Sequence, residues 1–259
     1  MNAEPFHARE LARREAFDRR RADWRVGPII YQVHVDRFAP SRRLDQKPHH
    51  YALPRELRAW EHRPEPLPYQ HDHLISGAEL QFWGGDLDSL RERLAHVASL
   101  GVELLYLNPI FEAFSNHKYD ATDYFRVDPQ YGDAAELRAL VDDVHGRGMR
   151  LMLDGVFNHM GRRAPLFQRE QQHPQPLDKS FFLVGSRHPN GWRGWRNVRN
   201  LPELNLENPA VRDYLWAGPD SVVQHYLRDF GIDGWRLDVA PDLARISHQS
   251  LHRASFSRQ

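Results

Sequence analysis

Two aspartates and an arginine stand where a fold could put them to chemical use. Asp154 lies in the apolar run MRLMLDGVF and Asp238 near the end of IDGWRLDVA. Both runs are short and apolar, the pattern of buried strands. Arg236 precedes Asp238 by two residues, and the period of two along a strand puts both side chains on one side. A guanidinium there is a fixed positive charge that lowers the pKa of a neighbouring carboxyl and holds its orientation. Asp154, on the neighbouring strand, is expected to pair with the same arginine. Such a pair serves catalysis and also reads as a structural ion pair.

Other side chains are less telling. Aromatic residues make up 11% of the chain, with seven Trp, and the Trp and Tyr cluster in loop-like segments. Rings of that kind suit a carbohydrate site, stacking on sugar faces while a polar tip hydrogen-bonds, although composition by itself favours ordinary packing. His71 and His73 of HDH, with His49 and His50, have ligand chemistry, but solvated loop histidines are the better reading. No metal site is expected.

Composition removes several classes of function. Lys plus Arg equals Asp plus Glu at 35 each, so a formal net charge of zero gives no electrostatic ground for nucleic acid or an anionic membrane. With no cysteine there is no disulfide framework and no thiolate metal site. The opening residues alternate charges without the apolar core of a secretory signal, and no apolar run is long enough to span a bilayer. The expectation is a soluble, cytoplasmic protein.

The elements that must position Asp154 and Asp238 follow in order. After a polar lead-in over residues 1–27, PIIYQVHV (28–35) reads as a buried strand, followed by an extended, irregular excursion to residue 80. Asp86 caps a helix whose Leu87, Leu90, Leu94 and Val97 repeat at helical spacing, and Gly101 stops it. LLYL (104–107) is a second buried strand. Asp133 and Glu136 form a capping box for a helix with Leu137, Leu140, Val141 and Val144 on its apolar face. The third strand carries Asp154. Residues 159–207 are too many for an ordinary connection and are read as a small, irregular inserted subdomain, giving 28–158 to the first three strands. Asn208-Pro209 opens a helix that Gly218-Pro219 must break, and residues 208–240 end on the fourth strand. Strand alternating with helix means a parallel sheet covered on both faces. No Gly-rich phosphate loop follows the first strand, and the carboxylates sit at strand ends, which favours a (β/α)8 TIM-barrel type of α/β fold over a doubly wound sheet.

Four segments carry a resemblance. LDGVFNH (153–159) and GWRLDVA (234–240) resemble the first and second signatures of the α-amylase family of glycoside hydrolases. NHKYDATDYF (116–125) and LPELN (201–205) are similar to segments of its neopullulanase, cyclomaltodextrinase and maltodextrin glucosidase branch. The resemblance implies retaining hydrolysis of α-glucosidic bonds in maltodextrin-like oligosaccharides, with Asp238 as nucleophile and Arg236 beside it in the catalytic group. It gives Asp154 a structural role at the site, His159 a hydrogen bond to a sugar hydroxyl, and Tyr119 a stacking contact with the ring. Asp120 is expected to contact the same sugar. Asn158 matches a calcium ligand of many amylases, but VAPD follows Asp238 where calcium-binding members have a Lys-His pair, which argues against calcium; no cofactor is expected.

The family also uses a glutamic acid after a fifth strand as general acid. Residues 241–259 hold Asp242 as their one acidic residue and no strand pattern, so they read as an aberrant tail of a shifted frame or early stop, and the barrel as truncated to about four βα units. Open sheet edges would then offer a route to dimerisation. The competing reading is a non-catalytic remnant, or a carbohydrate-binding half that needs a partner chain.

Overall fold

The computed structural model describes residues 6–243, so the tail read as aberrant lies, from residue 244 onward, outside the described residues. At its centre is a four-stranded parallel sheet in chain order, Ile30–Val33, Leu104–Leu107, Arg150–Gly155 and Gly234–Leu237. The second strand is buried along its whole length. Asp133 accepts hydrogen bonds from the backbone of Ala135 and Glu136, Glu136 reaches back to Asp133 N at 2.9 Å, and the helix Ala134–His145 begins there. Its Leu137, Leu140, Val141 and Val144 are all buried. Each such side chain contributes about 1.5–3 kcal/mol when taken from water.

The helix capped by Asp86 is two segments, Leu87–Glu92 and Leu94–Ser99, hinged at Arg93. The hinge leaves Leu87, Leu90, Leu94 and Val97 buried together, so the apolar stripe survives the break. The helix opened by Asn208 and Pro209 runs from Pro209–Arg212 into a wider π turn, Asp213–Ala217, and ends at Gly218. Ser221 then caps Val222–His225, and Gly231, at φ +80°, stops the following turn. Asp233 fixes where the fourth strand begins. Its buried carboxylate takes hydrogen bonds from Leu151 N, Arg150 and His145 at 2.9, 3.0 and 2.7 Å, which locks it beside the third strand.

Two expectations need correction. The first strand is not buried: Val33 alone of its four residues is, and Ile30 is 51% exposed. Among the described residues it pairs with one neighbour only, so its outer flank is uncovered. The excursion over residues 36–80 is also more ordered than its sequence suggests. It holds several 3-10 turns, a parallel pairing of Glu56–Leu57 with Gln81–Phe82, and a hairpin of Tyr69–Gln70 with Ile75–Ser76. Elements two residues long carry no hydrophobic period, which is why the pattern hides them. Residues 159–207 contain the helix Pro165–Gln172 and a set of isolated bridges, one of which joins His159 to Glu203.

Candidate active site

The register of the sheet sets the site. Arg236 lies directly opposite Asp154 across the third and fourth strands, at their carboxyl ends, and Asp238 follows the last residue of the fourth. Arg236 Nη1 donates to Asp154 Oδ1 at 3.0 Å and to Asp238 Oδ1 at 2.6 Å. Burial opposes the charge of Arg236, but Asp154 and Asp238 outweigh it and hold the guanidinium more firmly protonated than usual. Burial also raises the carboxyl of Asp154, while Tyr106, Arg236 and Tyr119 pull it back. Tyr106 and Tyr119 both donate to Asp154 Oδ2, Tyr119 at 2.9 Å. The phenol of Tyr119, pushed up to about 12 by burial and by the Asp154 carboxylate, stays protonated to make that bond.

The segment before Tyr119 is held tightly. Lys118 is buried in a left-handed conformation, φ +64°, with its ammonium 2.7 Å from Asp128 and over the rings of Phe82 and Tyr131. Tyr119 in turn accepts from Asn108 at 3.1 Å, and Asn108 accepts from Gln32 on the first strand at 2.9 Å. A chain of polar contacts thus crosses the top of all four strands.

His159 comes from the loop after the third strand. Tyr124 donates to its carbonyl at 2.6 Å, and the segment 201–205 runs antiparallel beside it. Its ring stacks on Trp195, with centroids 5.5 Å apart and planes at 26°. The indole of Trp195 donates to Asp242 at 3.1 Å. Burial depresses His159 to about 4, so its imidazole is neutral, and its Nε2 is buried with no hydrogen-bond partner.

Asp238, Tyr119, His159 and Trp195 line one cleft of about 690 Å3, whose other walls include Tyr69, Glu79 and Asn200. Asp154 and Arg236 stand behind them. Asp120 does not join the group, contrary to the expectation that it touches the sugar. It is buried, and its carboxylate accepts from Ser115 and, at 3.3 Å, from Asn200. Successive residues of extended chain point opposite ways, so the turn that presents Tyr119 buries Asp120. Tyr106 and Trp195 were missed by the sequence reading. The single signal for Tyr106 was one hydroxyl in the otherwise aliphatic run LLYL near a strand end.

The histidines do not converge. His49 and His50 stack at 4.0 Å, His71 packs on Tyr69, and His73 accepts from Arg163 at 2.7 Å. The amide of Asn158 lies 3.4 Å from His159 Nδ1. Among the described residues no group of three or more His, Cys, Asp or Glu is arranged to hold a metal. Nor, among them, is any helix long and apolar enough to cross a membrane.

Residues 32–254 match the alpha amylase, catalytic domain, family. The chain belongs to the alpha-amylase family. The catalytic domain of that family is a (β/α)8 TIM barrel, and the four parallel strands are part of that architecture. The chain is 36% identical over 235 residues to "Intracellular maltogenic amylase" of Bacillus subtilis (strain 168), covering 90% of this chain and 36% of the relative. It is 36% identical over 238 residues to "Neopullulanase 2" of Thermoactinomyces vulgaris, covering 89% and 37%. Among solved structures it resembles the cyclic alpha-maltosyl-(1-->6)-maltose hydrolase from Arthrobacter globiformis in complex with maltose. There the TM-score is 0.68 at 33% identity, over 86% of this chain and 46% of that one. The chain therefore spans less than half the length of these alpha-amylase relatives.

Proposed function

We propose that this chain carries the nucleophile side of a retaining α-glucan hydrolase site for maltodextrin-like oligosaccharides. The observation that carries it is Asp238 in an aromatic-walled cleft, bound by an arginine that Asp154 holds from behind. Asp238 Oδ attacks the anomeric carbon; a carbon–oxygen bond to the enzyme forms as the bond to the departing sugar breaks, and water later releases the glycosyl group. Arg236 binds Asp238 at 2.6 Å and keeps it aimed. Tyr119 stacks on the sugar ring, and the orphaned Nε2 of His159 takes a sugar hydroxyl, giving that buried atom the partner it lacks. The relative named as intracellular and the absence of cysteine support a cytoplasmic setting.

Retention needs a second carboxyl about 5 Å from the first to protonate the leaving oxygen. Among the described residues, Asp154 shares Arg236 with Asp238 but is buried and does not line the cleft, and Glu79, the other carboxylate in the cleft wall, lies 3.3 Å from His117. The 259-residue polypeptide by itself therefore leaves maltotriose intact, since general-acid help is worth about 10² to 10⁴-fold. Fluoride departs without a proton, so a fluorinated α-maltosyl fluoride that forms a slow-turnover adduct should label the chain. Peptide mass spectrometry should find the glycosyl group on Asp238 and none in Asp238→Asn. Labelling elsewhere, or equal labelling of both proteins, would reject the nucleophile; rapid maltotriose hydrolysis would reject the missing acid. A second reading, a carbohydrate-binding half completed by another chain, is favoured by the uncovered flank of the first strand. Size-exclusion chromatography at rising concentration tests it through dimer formation.

A further inference from the structure

The hairpin at the end of the long excursion faces the same cleft as Asp238, and the chemistry above gives it no task. Tyr69–Gln70 pairs antiparallel with Ile75–Ser76, and Tyr69, Leu74, Ile75 and Ser76 all line the cleft. Tyr69 is 47% exposed, a large ring left in water on a concave wall. Its ring meets His71 edge to face at 5.2 Å. Core packing does not explain a side chain so placed.

The hairpin is also rigidly anchored. Gly77 N donates to Pro68 O at 2.9 Å beside the base of the pairing. Arg163, from the inserted segment, donates to His73 at 2.7 Å and lays its guanidinium over Phe114 at 3.5 Å. Leu74, at the turn, is held at φ +55°. That conformation is strained for a residue with a Cβ and persists where the surroundings over-determine it. An exposed ring on a fixed backbone loses little freedom when it binds.

Polar groups lie beside it on the same wall. Glu79 Oε2 is 3.3 Å from His117 Nε2, and His117 Nδ1 accepts from Tyr119 N at 3.0 Å. Because Nδ1 accepts, the ring presents its Nε2 proton to Glu79. The carboxylate is thereby oriented, with its side chain 38% exposed on the cleft.

We propose that Tyr69 is the platform of an outer sugar subsite, remote from the bond on which Asp238 acts. A glucosyl unit stacks its carbon–hydrogen face on the ring, and Glu79, ordered by His117, accepts a proton from one of its hydroxyls. The inference rests on the α-glucan reading above and deepens it: the hairpin selects for chain length. Calorimetric titration of the 259-residue protein with maltose and with maltohexaose tests it. Tyr69→Ala should weaken maltohexaose about fivefold to tenfold, the worth of one aromatic contact, and leave maltose unchanged. Tyr69→Phe, which keeps the ring, should bind like the parent, and Glu79→Gln should weaken maltohexaose about threefold. Unchanged circular dichroism shows that each variant folds. Equal weakening for both sugars, or none in Tyr69→Ala, overturns the subsite and leaves the α-glucan reading standing. A parent protein that binds neither sugar overturns both.

Discussion

One nitrogen of Arg236, Nη1, serves both Asp154 and Asp238, at 3.0 and 2.6 Å. The fork of the guanidinium is not spent on a single carboxylate; a single tip bridges two. That tip must reach the far side of the strand end, and lysine is one atom shorter. Arg236→Lys is therefore expected to hold one aspartate at a time and to slow labelling of Asp238 by the fluoride reagent about 10²-fold. Arg236→Met removes the charge from a buried acceptor and should cost about 1–3 kcal/mol in urea unfolding. A folded Lys variant that labels at the parent rate would reject the bridging role.

Tyr106 and Tyr119 converge on one oxygen, Oδ2 of Asp154. Tyr106→Phe deletes a hydrogen bond to a buried charged group, expected to cost about 1.5–3 kcal/mol at neutral pH. The cost has a pH signature. Burial already raises the folded pKa of Asp154 above its unfolded value, and losing a donor to the carboxylate raises it further. Stability is fully present where the group is protonated and falls as pH rises through the folded value, so the deficit of the variant should shrink on acidification. Urea midpoints of parent and variant from pH 7 downward measure it; a gap independent of pH would mean that Tyr106 acts through packing alone.

How much of this was legible follows from how local each signal is. The two-residue spacing of Arg236 and Asp238, the capping box at Asp133 and the Asn208-Pro209 start are short-range patterns, and each maps directly onto backbone geometry. Tyr106 needs the register of the second strand against the third, Tyr106 opposite Met152, before its hydroxyl can be placed beside Asp154. Trp195 needs a bridge between segments that nothing in their composition pairs. Asp120 was misplaced because the motif joins it to Tyr119, whereas the chain turns them to opposite sides. The exposure of the first strand belongs to its position at a sheet margin, which its apolar sequence does not encode.

Gly161 is expected to be intolerant of a side chain. Its N–H donates to Ala121 O at 2.8 Å, and a Cβ there would stand 2.2 Å from the carbonyl oxygen of Asp120. Backbone cannot swing aside as a flexible side chain can. Gly161→Ala should cost about 1–3 kcal/mol through overpacking and shift the segment that carries Tyr119, slowing the labelling of Asp238. Thermal unfolding together with the labelling rate checks this; an unchanged melting temperature would show that the two loops are not in tight contact.

His159 and Trp195 give the sharpest dependence on acidity. Burial depresses His159 to about 4, and His34, half-buried, also to about 4. An unfolded histidine titrates near 6.5, so between these values the unfolded chain binds protons that the folded chain refuses. Stability is therefore full above pH 6.5 and falls as pH drops toward 4, by an amount on the order of 3 kcal/mol for each group. Replacing His34 by Gln should remove its share of that fall, and His159→Gln the other share, so that the double variant has the flattest urea midpoint between pH 6.5 and 4.5. Trp195 covers His159 with a ring at 5.5 Å. Trp195→Ala opens that face to water, and the pKa of His159, followed by the imidazole proton shifts in NMR, should climb back toward 6.5. A value still near 4 in the alanine variant would place the desolvation elsewhere in the pocket and remove Trp195 from its cause.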